Sequence, residues 1–366
     1  MLIKRASTFG VLKNVYLKRT EPLSLVHFLT NRCNARCSFC FIDFEDPNTF
    51  ANELTLNEIE KLTKNLGNSL LNVNFTGGEP FARKEINEIA NLYIANTTIQ
   101  SIYITTNASL PDRIVSFAKN ISDQSKDIEL TIQISIDSFP EIHNKVRKIK
   151  NLFNTCYEVF HLLKKIDEKV NPVVAITVTE ENCHDIKEIY KLFIEKYKFN
   201  AIKCIAVRDE GVYKIPLEKK QKIFEAYSWL SNQIAIDSKN KILKNYNHNS
   251  IQGRLHAKKD IIANKMVQEM YMKPKYISPC HAGSLFGIIN PSGSVYPCEI
   301  LENKKIGELR DYEMNFIKMW KDKQAKEIKK FILKKKCNCT YECALSYNIL
   351  SNWRYQFSMI SAAMKY

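Results

Sequence analysis

No uninterrupted apolar stretch in this chain approaches the roughly eighteen residues that a membrane-crossing helix needs, so no helical span is expected. The start, MLIKRASTFG, lacks the apolar run of a secretory signal. No internal repeat beyond a strand–helix alternation is present, and no low-complexity tract. The interleaved basic and aromatic pattern of a nucleic-acid groove is also missing, so nucleic acid is not an expected partner. Without an export signal a cytoplasmic location is expected, and the eleven cysteines read as metal ligands or free thiols rather than disulfides.

What is present is a chain of 366 residues, 45% hydrophobic, long enough for one large α/β domain with a smaller appendage. Its formal net charge of +15 suggests an anionic partner, such as a phosphorylated substrate or an acidic lipid surface. The basic excess is strong in KMWKDKQAKEIKKFILKKK, which reads as one amphipathic helix with a lysine face, either solvated or a docking surface.

Strand-like and helix-like segments alternate. Apolar, β-branched runs at LSLVHFLT, LLNVNFTG, IQSIYITTNA, IELTIQISID, NPVVAITVTE and AIKCIAVRD read as six strands. Between them lie segments of helical period, with Thr55 a plausible cap and Pro111 at a first turn. One continuous helical run is expected from Pro140 to about Ile166. Six βα units make a parallel sheet covered by helices but fall short of the eight that close a full barrel. The expected fold is therefore α/β, an open partial (β/α)6 barrel over residues 23–240 after an N-terminal extension, 1–22. A linker or helical segment, 241–278, and a small C-terminal α+β domain, 279–366, follow.

Functional groups of parallel α/β folds collect at the carboxyl ends of strands. The first strand leads directly into CNARCSFC, with Cys33, Cys37 and Cys40 in eight positions. A structural zinc ion takes four ligands, whereas three thiolates on a four-iron cubane leave one iron open. The turn TGGEP, with Gly77, Gly78 and Glu79, follows the second strand. Asn107 follows the third, Ser135 and Asp137 end the fourth, and Arg208 ends the sixth. Plainer roles are available: Glu79 as a helix-start carboxylate, Asn107 and Asp137 as caps, Arg147 as an exposed base in HNKVRKIK.

CNARCSFC together with GGEP resembles the radical S-adenosylmethionine superfamily over roughly residues 20–210. The resemblance implies a [4Fe–4S] cluster on Cys33, Cys37 and Cys40, with S-adenosylmethionine chelating the open iron. It further implies Phe39 beside the adenine, Gly77, Gly78 and Glu79 at the amino group, and Ser135 or Asp137 at the ribose. Arg147 would pair with the carboxylate, Asn182 is a second candidate there, and Asn107 shares the rim. Farther on, Cys280 and Cys298 flank a hairpin around NPSG, and CNCTYEC supplies Cys337, Cys339 and Cys343. This segment is similar to the SPASM auxiliary-cluster domain in its shortened twitch form, with too few cysteines for two clusters. The resemblance implies one auxiliary [4Fe–4S] cluster on Cys280, Cys298, Cys339 and Cys343, with Cys337 an alternate; a zinc ion would suit four thiolates too. Of the remaining thiols, Cys204 on the sixth strand could face the lumen and donate hydrogen, and Arg208 could touch substrate.

The implied activity is reductive cleavage of S-adenosylmethionine to a 5′-deoxyadenosyl radical, with electrons from a flavodoxin- or ferredoxin-type donor. The radical would abstract hydrogen from a small, anionic sugar-, nucleotide- or lipid-linked substrate, for dehydrogenation or epimerisation. Only about twenty residues precede the first strand, which leaves no room for a leader-binding domain and sets a peptide-modifying role second. A non-enzymatic iron–sulfur or zinc protein, for binding or electron transfer, is the other alternative.

Overall fold

The computed structural model describes residues 5–125, 127–208 and 214–364. All six expected strands form: β1 (Ser24–Thr30), β2 (Asn72–Gly77), β3 (Ser101–Thr106), β4 (Glu129–Ser135), β5 (Val170–Val178) and β6 (Ile202–Ala206). They pair in parallel in chain order. Parallel neighbours need crossovers. Helices supply these: α2 (Leu56–Lys64), α3 (Ile86–Asn96), α4 (Pro111–Gln124), α5 (Pro140–Arg147), α6 (Leu152–Leu163) and α7 (Ile186–Glu195). Every residue of β1 is buried, as a strand covered on both faces requires. Before it, α1 (Thr8–Lys13) passes into a π-helical turn.

Local chemistry explains the boundaries. Thr55 caps α2 in a reciprocal capping box with Glu58, and Pro111 occupies the first turn of α4. The run expected as one helix from Pro140 is two. Lys148 (φ 56°) and Asn151 (φ 59°) adopt left-handed backbone, which stops α5 at Arg147 and restarts the chain as α6. The lysine-rich segment likewise divides into α10 (Phe316–Trp320) and α11 (Lys323–Lys335), because Asp322 turns extended and caps α11.

After β6, α8 (Leu217–Lys239) and α9 (Ile251–Tyr271) lead to three short strands, β7 (Phe286–Ile289), β8 (Ser294–Tyr296) and β9 (Gly307–Glu308). β7 lies parallel to β1, from Ser24 opposite Phe286 to His27 opposite Ile289, and β8 and β9 follow antiparallel. The C-terminal segment therefore extends the barrel sheet into one of nine strands. The chain ends in α12 (Glu342–Leu350) and α13 (Trp353–Met364), both packed on α9. Phe28 of β1 and Ile205 of β6 lie five strands apart in the sheet, yet they line one cavity. The sheet must therefore curl into an open, partial barrel.

Candidate active site

The cysteine loop is held against the sheet by the turn after β2. Gly78 N donates to Thr30 O at 2.8 Å and Glu79 N to Arg32 O at 2.9 Å. Both glycines are required by this approach. A Cβ on Gly77 (φ 132°) would lie 2.0 Å from Thr30 O, and one on Gly78 2.4 Å from Arg32 O. Glu79 is fully buried, and its carboxylate accepts from Phe81 N (3.1 Å), Thr106 Oγ1 (2.7 Å) and Asn107 N (2.8 Å). It therefore ties the end of β2 to the end of β3. Asn107 in turn directs its amide at the Cys33 sulfur (3.8 Å) and at Asn34 Oδ1 (3.0 Å), while Ala35 N reaches the same sulfur at 3.3 Å.

Burial pushes all three thiols up, Cys37 to about 11, and each is close enough to Arg147 for its guanidinium to oppose that rise. Cys33, Cys37 and Cys40 also act on one another. Among the described residues no three such side chains close around a point that one ion would occupy. A four-iron cluster takes its thiolates at separate corners. Three half-buried thiols, with N–H donors aimed at one sulfur, are a donor set that fits it.

Arg147, at the end of α5, is buried beside the loop: its carbonyl accepts from Arg36 N at 3.2 Å, and its guanidinium lies 6.0 Å from the Phe39 ring. Its Nε and Nη2 donate to Asp137 Oδ2. Asp137 Oδ1 accepts from Thr177 N at 3.0 Å. The two residues expected at the carboxylate and the ribose of the cofactor thus bind each other. Asn182 donates to Asp137 O (2.7 Å) and Thr177 O (2.8 Å) and accepts from Thr179 N (2.8 Å), which fixes the rim after β5. Ser135 sits partly exposed at the end of β4.

In the C-terminal segment burial raises Cys298 and Cys339 to about 12. Cys280, Cys298, Cys337 and Cys339 are neighbours that act on one another. The fifth thiol is that of Cys343. It is carried on the first turn of α12, where Arg208 and Glu342 act on it. Cys337 thus lies within the group.

Beside the C-terminal cysteines, and reached from the first cysteine loop by Phe41 and Ile42, lies a cavity of about 560 Å³. Its wall includes Phe28, Phe41, Ile205, Arg208, Cys298 and Cys343. Arg208 ion-pairs with Glu299 and lies over the rings of Phe41 (5.4 Å) and Tyr341 (5.0 Å). Cys204 is a different matter: Ile205 and Ala206 line the cavity, and Cys204 is buried outside its wall. A hydrogen-donor role finds no support at that position. Sequence reading passed over five wall carboxylates, Asp43, Asp46, Glu299, Glu302 and Glu342. The available signal was their place beside cysteines, in YPCEILE and TYEC and just after CSFC. Burial raises Glu342 to about 7, opposed by Arg208.

Residues 28–193 match the Radical SAM superfamily model, and residues 260–344 match SPASM, an iron–sulfur cluster-binding domain. Fe-coproporphyrin III synthase of Methanosarcina barkeri is 30% identical over 185 residues, 50% of this chain and 43% of that protein. The GTP 3′,8-cyclase of Clostridium botulinum is 26% identical over 297 residues, 78% of this chain and 82% of that one. The chain spans about half the length of several other curated relatives it matches. A solved structure of anSMEcpe with bound AdoMet and Cp18Cys peptide shares the fold, with TM-score 0.60, 22% identity, and 93% and 99% of the two chains covered. The cofactors of these domains are S-adenosylmethionine with a [4Fe–4S] cluster, and auxiliary iron–sulfur clusters.

Proposed function

This chain belongs to the radical SAM superfamily and carries a C-terminal SPASM domain, and from that premise we propose that it oxidises a substrate held in the cavity beside its C-terminal cysteines. Cys33, Cys37 and Cys40 would hold the cluster, which with S-adenosylmethionine would supply an electron and a 5′-deoxyadenosyl radical for hydrogen abstraction. The chain's own residues position and enclose. Phe41 continues the cysteine loop into the cavity wall, and Cys298 and Cys343 face it from the C-terminal segment. Gly77, Gly78 and Glu79 hold the loop, and the Asp137–Arg147 pair with Asn182 fixes the rim where the cofactor would lie.

The observation that carries dehydrogenation over epimerisation is this placement of the cavity. A cluster held by the C-terminal thiols would supply an electron acceptor beside that cavity, the partner that loss of an electron and a proton from a substrate radical would need. Five thiols suit a single auxiliary cluster of the twitch type, and Cys280, Cys298, Cys337 and Cys339 are its proposed ligands. A flavodoxin- or ferredoxin-type protein is the proposed donor of the initiating electron. Peptide modification is the second reading, since the cavity opens to acidic exposed residues, Asp43 and Asp46, that a chain could cross.

The test is a Cys280→Ala/Cys298→Ala variant, checked for fold by circular dichroism because metal binding contributes to folding. With a substrate identified by screening for 5′-deoxyadenosine, it should still cleave S-adenosylmethionine and make no oxidised product. Full product from a folded variant lacking the second cluster would contradict the oxidative reading.

A further inference from the structure

The charge of the cavity runs against the charge of the chain. The protein carries a formal net charge of +15, yet the cavity wall presents five carboxylates and one guanidinium. The guanidinium of Arg208 is already committed to Glu299. The other four divide by depth: Asp43, Asp46 and Glu302 are exposed at the mouth, while Glu342 is half-buried inside. Among the described residues the carboxylates of Asp43 and Asp46 accept hydrogen bonds from their own turns alone, from Glu45 N and from Asn48. Among the described residues none of these four is in an ion pair. A phosphate-bearing ligand would have to enter past like charge, and among the described residues of the wall the one cation, Arg208, is already paired.

A second feature points the same way. Arg208 lies over the rings of Phe41 and Tyr341, with Glu299 beside it. The wall thus already seats one organic cation by the means a cation-binding site uses, aromatic faces backed by a carboxylate. Tyr296 presents a further ring on the same wall, with Glu302 nearby in the lining.

We propose that the substrate of this cavity bears an organic cation, a primary amine or a guanidinium, which Asp43, Asp46 and Glu302 draw in and Glu342 receives. The inference rests on the cavity being the substrate site of the proposed function. It reverses the sign of the substrate expected from net charge, because the chain's basic residues lie elsewhere.

The iron-loaded protein with S-adenosylmethionine is titrated calorimetrically with two probe series. One is 1,5-diaminopentane against 1,5-pentanediol and glutarate. The other is an acetylated, amidated heptapeptide with central lysine against its acetyl-lysine and glutamate forms. In at least one series the cationic probe should bind at least about tenfold tighter than its neutral and anionic partners. The series that responds tells a free amine from a basic peptide side chain. Asp46→Asn/Glu302→Gln should erase most of that preference and flatten its salt dependence. Cationic probes that bind no tighter than their partners, or not at all, would overturn the proposal, as would a preference the double variant leaves intact. Failure of 5′-deoxyadenosine formation on reduction would instead count against the radical reading and leave a measured charge preference standing.

Discussion

Arg147 donates two hydrogen bonds to one oxygen of Asp137, from Nη2 at 2.6 Å and Nε at 3.0 Å, with both side chains buried. The pair joins the end of α5 to the end of β4 directly beside the thiols of the first cysteine group. It keeps a cation near thiols that must become thiolates, and the guanidinium favours that change.

Breaking it from one side leaves a buried charge unpaired. Asp137→Asn should cost about 3–5 kcal/mol of stability, read by denaturant unfolding under anaerobic conditions. Asp137→Asn and Arg147→Leu together should cost less than the sum of the single changes. Additive losses would mean that the two groups act independently.

The glycine pair gives a second expectation. Gly78→Ala sets a methyl only 2.4 Å from Arg32 O, so the cysteine loop must shift. The variant should fold and bind iron at the C-terminal thiols, yet lose about half its total iron if each group holds four. Iron analysis with electron paramagnetic resonance checks this.

Much of this was legible in the sequence, and physical reasons separate what was from what was not. The six strands and the cysteine loop are local patterns, apolar runs and close spacing, and they form where expected. The break between α5 and α6 was hidden, since Lys148 and Asn151 take left-handed backbone without a glycine to signal it. The docking of β7 on β1 is a long-range pairing that no local pattern encodes. The mutual pairing of Asp137 and Arg147 was invisible for the same reason, and so was the gathering of carboxylates from three separate segments onto one cavity wall.

Asn107 supplies a third test. Its amide points at the Cys33 sulfur, and a hydrogen bond to a cluster thiolate favours the reduced, more negative state. Asn107→Leu should lower the potential of the first cluster by about 20–60 mV, a bond worth about 0.5–1.4 kcal/mol. An unchanged potential would leave Asn107 as a loop tie to Asn34 alone.

Acid sensitivity follows from two buried histidines. Burial lowers His27 and His143 from 6.5 to about 3, helped in His27 by Arg83 and in His143 by Arg147. The unfolded chain takes up these protons below about pH 6.5, and the folded chain does so only near pH 3. Stability is therefore full above that upper value and is lost as pH falls, by up to about 1.4 kcal/mol per pH unit for each histidine. Unfolding free energies at pH 5, 6 and 7 should show the slope, and His27→Gln should reduce it.

The most direct test of the central claim is a single assay on anaerobically reconstituted protein reduced with dithionite. With S-adenosylmethionine present it should form 5′-deoxyadenosine and methionine, and the Cys37→Ala variant should form neither. A protein loaded with four irons at Cys33, Cys37 and Cys40 that leaves S-adenosylmethionine intact, or cleavage that persists in the variant, would contradict the account.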